Sequence, residues 1–121
     1  MRLDELYNVI GGDYNKALSV LRIDKLIDKH IRKFKDNELV PSLIEAKDKM
    51  DEKSLFEVSH ALKGVCGNLG LVNIATLASD IAEEFRPGNQ RQLSDEEVSD
   101  KVEEIRLLFE KAKEGINRYI G

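Results

Sequence analysis

The feature that most constrains the fold is a helical pattern of apolar residues with glycines inside it, at residues 59–70. On a helical wheel of about 100° per residue, His60 lies opposite the apolar positions, which all fall within about 60° of the far pole. These positions are Leu55, Val58, Leu62, Val65, Cys66 and Leu69. Lys63, Gly64 and Gly67 lie within about 60° of His60 on the same wheel. The pattern predicts a helix that holds His60 outward, beside a cation and two missing side chains.

The missing side chains need an explanation, because a glycine inside a helix costs about 1 kcal/mol relative to alanine. Glycines on an exposed face add nothing to the core, so we expect another molecule to approach there. Neutral imidazole is a nucleophile, and an ammonium three residues later can reach a charged oxygen on the ring. Each residue also has an ordinary explanation: most exposed histidines have no role, Lys63 is a common surface charge, and Gly70 is expected to cap the helix.

The sequence HALKG at residues 60–64, followed by GNLGL at residues 67–71, resembles the signature of histidine-containing phosphotransfer (HPt) domains. These domains are helical-bundle intermediates of multistep His-Asp phosphorelays. The resemblance implies that His60 carries a phosphoryl group on its outer ring nitrogen and that Lys63 stabilises this group. It also implies that Gly64 leaves room for a docking receiver domain.

The resemblance covers most of the chain, since residues 11–14 and the amphipathic segment after Leu71 are similar to elements of that family. In some members a residue on the following helix hydrogen-bonds the inner ring nitrogen, and Glu83 is a candidate for that role. In others a basic residue near the end of that helix contributes to the phosphoryl chemistry, and Arg86 has a similar position. The alternative for Arg86 is a cation that interacts favourably with the helix dipole.

The expected docking face for a partner consists of Phe56, Gly64 and Gly67, which share the outward side of the His60 helix. The resemblance implies two partners, a response regulator receiver domain and an upstream sensor histidine kinase, hybrid or separate. It implies no cofactor bound by this chain, because Mg²⁺ belongs to the acidic pocket of the receiver. It also favours a monomer.

Apolar residues recur at helical spacing along the chain, and nothing alternates as a strand does. We therefore predict an all-α fold, an antiparallel four-helix bundle with extra short N-terminal helices. The length suits a single domain over residues 1–121, with short helices at about 1–35 and the bundle, including the His60 hairpin, at about 38–120. Asp13 and Asp24 are expected N-caps, with a break in the helical pattern near Arg22 and Ile23, and Asp51 is expected to begin the helix that carries His60. Ser94 and Glu97 form a capping box for the last helix.

Composition excludes several classes of function. A net charge of −4 argues against nucleic acid as a partner. No window of the sequence is apolar enough to span a membrane, and the first residues lack the apolar core of a signal peptide, so we expect a cytoplasmic protein. The basic segment 22–35 and the acidic segment 94–104 are interpreted first as solvated faces. His30 has no partner at metal-ligand spacing and is expected to be a partly buried surface residue. Cys66 is expected to be a buried apolar filler.

Two functional hypotheses remain at this point. The first is a phosphorelay intermediate that accepts a phosphoryl group on His60 from a receiver aspartate and passes it to another receiver. Such a chain is a phosphocarrier rather than an enzyme, because it contains no glycine-rich phosphate loop or nucleotide fingerprint. The alternative is a non-catalytic helical adaptor that docks receivers without phosphotransfer.

Overall fold

The computed structural model describes residues 1–121 as seven α-helices without a strand. In chain order they are α1 (Leu3–Ile10), α2 (Tyr14–Leu21), α3 (Asp24–Phe34), α4 (Leu39–Asp48), α5 (Glu52–Asn68), α6 (Val72–Phe85) and α7 (Asp95–Ile120). The prediction of an all-α fold, with short helices ahead of a four-helix bundle, is confirmed.

The bundle consists of α4, α5, α6 and α7, in which α4 and α6 each contact both α5 and α7. The link between α5 and α6 spans only residues 69–71, so these two helices run antiparallel. Each of the four helices contributes side chains to the core that are 0% exposed, among them Leu43, Leu55, Leu62, Ile81 and Ile105. Burying one such side chain contributes about 1.5–3 kcal/mol. None of the helices combines the length and the apolar character that crossing a membrane requires.

The three N-terminal helices cover the outside of the bundle. Helix α1 packs on α7, α2 packs on α3 and α5, and α3 packs on α7. A break at residues 22–23 separates α2 from α3, where Arg22 has φ +76° and ends α2. The predicted cap is wrong: Ile23 is the N-cap of α3, and Asp24 is its first helical residue. The Asp24 carboxylate accepts a hydrogen bond from the Tyr14 hydroxyl instead.

The turn between α5 and α6 depends on Gly70, which has φ +72°. A side chain at this position would also collide with the backbone carbonyl of Asp13, so both the backbone conformation and the close approach require glycine. The Asp13 N–H donates to the Gly70 carbonyl at 2.7 Å, and the Tyr7 hydroxyl donates to the Leu69 carbonyl at 2.6 Å. The N-terminal segment therefore holds the C-terminal end of the His60 helix in place.

Asp13 caps α2 as predicted, and Ser94 and Glu97 form the predicted capping box of α7. Asp51, predicted to begin the His60 helix, is the N-cap of α5, whose first helical residue is Glu52. His30 is exposed rather than partly buried. The difference arises because α3 packs through the neighbouring Ile27, Ile31 and Phe34, whose stripe His30 only borders.

The loop between α6 and α7 is anchored by Glu84, whose side chain is only 3% exposed. Its carboxylate accepts hydrogen bonds from Arg91 Nε at 2.9 Å, from the Gln92 N–H at 3.0 Å and from the Leu93 N–H at 2.9 Å. Burial raises the pKa of Glu84, but these donors outweigh it and the net pKa is lowered. Nothing in the sequence points to this anchor, since Glu84 falls within an ordinary amphipathic pattern.

Candidate functional site

Helix α5 presents His60 to solvent in the middle of its length. The Asp51 side chain caps its first turn, and three side chains, Leu55, Leu62 and Cys66, fix its inner face at 0% exposure. His60 lies on the opposite face and is exposed. The predicted outward orientation of this imidazole is therefore present.

The surface beside His60 is open at Gly64 and Gly67. A side-chain carbon added to Gly64 or Gly67 would meet no heavy atom within 4 Å. Gly115 in α7 is different, because an added carbon there would collide with Ile10 Cγ2 of α1. Packing inside the chain thus explains the glycine at position 115 but not those at 64 and 67.

Lys63 is half-buried and lines a shallow groove between α2, α5 and α6. Lys16 of α2 lines the same groove, together with Gly67 and other small side chains. Asp80, the carboxylate at this groove, pairs with Lys101 at 3.2 Å. The two ammonium groups therefore give this side of the docking face a positive charge that an anionic partner group can meet.

Phe56 stacks on His60, with ring centroids 5.6 Å apart and 22° between the ring planes. The Arg86 guanidinium lies 5.3 Å from the centroid of the Phe56 ring. Arg86 in turn donates from Nε at 3.1 Å and from Nη2 at 2.7 Å to Oε1 of Glu83. Glu83 thus bonds Arg86 and not the imidazole.

The charges around Glu83 and Arg86 shift both of their pKa values. The hydrogen bond from Arg86, its positive charge and that of Lys63 lower the pKa of the Glu83 carboxyl despite some desolvation. The hydrogen bond and the negative charge of Glu83 raise the pKa of Arg86. The pair is therefore ionised at neutral pH, and Lys63 lies close enough to interact with it.

Two other candidate groups take no part in this surface. Cys66 is fully buried, and burial raises the pKa of its thiol to about 12, so it is not a nucleophile at neutral pH. His30 belongs to no group of side chains suited to a metal ion. The burial of Cys66 agrees with the prediction made from the sequence.

Two neighbours at this surface were not predicted from the sequence, the stacking of Phe56 on His60 and the position of Lys16 in the same groove as Lys63. The Phe56–His60 contact has a visible signal, the i,i+4 spacing of two rings on one helix. Lys16 has no such signal, because it reaches the groove only through the packing of α2 on α5. Ser59 is polar yet 0% exposed, since its hydroxyl donates to the Leu55 carbonyl one turn earlier.

The sequence matches the Hpt domain family over residues 27–115, which is most of the chain. The chain therefore belongs to the Hpt domain family, whose members carry phosphoryl groups in phosphorelays and interact there with receiver domains and kinases. The matched region begins within α3, includes α4, α5 and α6, and ends at residue 115 within α7, so α1 and α2 lie outside it. No curated protein and no solved structure matches the chain.

Proposed function

We propose that this chain is a phosphorelay intermediate in which His60 is the phosphoryl acceptor. The observation that supports this most strongly is the exposed imidazole at mid-helix, beside two glycines that no internal contact explains. A receiver domain presents its phosphorylated aspartate as a mixed anhydride. A ring nitrogen of neutral His60 attacks the phosphorus, the P–N bond forms, and the P–O bond to the aspartate carboxylate breaks.

The second half of the relay reverses this step on a different receiver. The carboxylate of its aspartate attacks the phosphohistidine, the P–N bond breaks, and His60 is free again. No nucleotide enters either step, so the chain acts as a carrier, and an upstream kinase supplies the phosphoryl group. Mg²⁺ belongs to the acidic pocket of each receiver in this scheme, and the chain works as a monomer with no cofactor of its own.

Lys63 is proposed to stabilise the phosphoryl oxygens, because its ammonium follows the acceptor by one helical turn and lines an open groove. Arg86 was the second candidate for this contact. Its Nε and Nη2 atoms donate to Glu83, which favours a role in holding neighbouring side chains. Phe56, Gly64 and Gly67 are proposed as the receiver docking face, where the glycines allow the partner backbone to approach α5 closely.

The experiment is transfer of ³²P from a phosphorylated receiver to the chain, comparing wild type with His60→Gln and His30→Gln. The two substitutions remove the only two histidines in turn, and both positions are exposed, so neither variant should lose its fold. We expect wild type and His30→Gln to become labelled and His60→Gln to remain unlabelled. Labelled His60→Gln would refute the proposal. Equal receiver binding by wild type and His60→Gln, without labelling of either, would identify the adaptor instead.

A further inference from the structure

The contact between Phe56 and His60 restricts a side chain that is otherwise free. An exposed histidine on a helix can move among staggered rotamers. Here the imidazole lies against an aromatic ring one turn earlier, at a centroid distance of 5.6 Å and an interplanar angle of 22°. This offset stacked geometry is one that aromatic pairs favour.

Phe56 is itself held by the neighbouring helix. The Arg86 guanidinium lies 5.3 Å from the centre of the Phe56 ring, within range of a cation–π interaction. Arg86 follows the last residue of α6, and its two bonds to Glu83 Oε1 fix the orientation of the guanidinium. Glu83, Arg86, Phe56 and His60 therefore form a continuous series of contacts from α6 to α5, which we call the Phe56 stack.

We propose that Phe56 and Arg86 are positioning residues that hold the His60 imidazole in one orientation for phosphoryl transfer. The inference rests on the proposed function only in that His60 is taken as the acceptor. A reactive nitrogen that is already oriented does not have to be selected from several rotamers at the moment of transfer. Loss of the stack should therefore slow the chemical step even for a donor that needs no docking surface.

The first test measures the stack itself by NMR. His60 and His30 are the two histidines of the chain, and His30 serves as the internal reference because it is exposed and has no aromatic partner of this kind. A stacked ring shifts the ring-proton signals of its neighbour upfield. We expect Phe56→Leu to move the His60 signals downfield toward those of His30, and Phe56→Tyr to leave them upfield. Unchanged His60 signals in Phe56→Leu would overturn the proposal.

The second test measures transfer from two donors, phosphoramidate and a phosphorylated receiver. An aromatic pair contributes a preference of about 2- to 13-fold, so Phe56→Leu should lower the phosphoramidate rate by about that factor. Phe56→Tyr should restore it. With the receiver, the loss should appear in the maximal rate rather than in KM alone. A normal phosphoramidate rate with a raised receiver KM would reduce Phe56 to a docking residue and contradict the inference.

A matched pair of variants tests Arg86. Arg86→Gln removes an i,i+3 ion pair at the stack, while Arg106→Gln removes an i,i+3 ion pair of similar geometry with Glu103 on α7. We expect Arg86→Gln to move the His60 ring-proton signals downfield and to slow phosphoramidate labelling, and Arg106→Gln to do neither. Equal effects of both variants would refute a positioning role for Arg86. Absence of labelling even in wild type would refute the proposed function, while the NMR comparison would still decide on the stack.

Discussion

Replacing Gly64 by glutamine should stabilise the fold and at the same time slow transfer from a receiver. Gly64 lies within α5, and an added side-chain carbon has no heavy atom within 4 Å. The substitution therefore adds helix propensity without a clash. Glutamine is better than glycine in a helix interior by roughly 0.5–1 kcal/mol. For a domain of this size that gain corresponds to a rise in Tm of about 2–4 °C.

The same substitution should lower the rate of transfer from a receiver, although it stabilises the fold. A receiver that packs against Gly64 would meet the glutamine side chain, and overpacking of a close interface costs about 1–3 kcal/mol. At 1.4 kcal/mol per factor of ten, the rate of transfer at low receiver concentration should fall by roughly 5- to 100-fold. Gly64→Ala should give a similar gain in stability with a smaller loss of rate.

The assay combines thermal unfolding with transfer from two donors. Phosphoramidate is small enough to reach His60 past the new side chain, so its rate should stay near that of wild type in Gly64→Gln. Gly115→Ala is the control for the stability argument, because its new methyl group would collide with Ile10 and should lower the Tm. Receiver transfer at the wild-type rate in Gly64→Gln, or a lower Tm for that variant, would refute the reasoning.

Three further predictions concern the scaffold. Because burial raises the pKa of Cys66 to about 12, the thiol of the folded protein should resist iodoacetamide at pH 8, and rapid alkylation would contradict this. The free energy of unfolding in urea should fall as the pH rises above about 9, because the thiol ionises there only in the unfolded chain. The pKa of Glu84 is lowered in the fold, so Glu84→Ala should cost about 1–3 kcal/mol at pH 7, and this difference should shrink as the pH falls below about 4.3, where the unfolded chain takes up the proton first. An equal difference at neutral and acid pH would argue against the ion pair with Arg91. Tyr7→Phe leaves the buried Leu69 carbonyl without its donor and should lower the unfolding free energy by about 1 kcal/mol, whereas no change in urea midpoint would show that the bond contributes nothing.

Most of the scaffold could be predicted because it depends on local rules. The apolar stripe of α5 places His60 opposite Leu62 by helix geometry alone. Ser94 begins α7 because its side chain and that of Glu97 satisfy each other's backbone N–H groups. Such signals lie within a few residues of one another, so a single sequence contains them completely.

The remaining features depend on contacts between distant segments. The predicted N-cap of α3 was wrong by one residue. Arg22 adopts a positive φ at the end of α2, and an arginine in the sequence does not predict that conformation. The approach of Arg86 to Phe56 depends on how α6 is rotated against α5, and the anchor at Glu84 depends on the path of the following loop. Side-chain orientation at the site was therefore the least predictable part of the structure.

The central claim is that an exposed imidazole on α5 receives a phosphoryl group from another protein. Localising the phosphoryl group by mass spectrometry, after transfer from a phosphorylated receiver, tests this claim most directly. We predict modification of His60 alone, with the acid-labile and alkali-stable behaviour of a phosphoramidate bond. A phosphoryl group found on His30, on a hydroxyl or on a carboxylate would contradict the account.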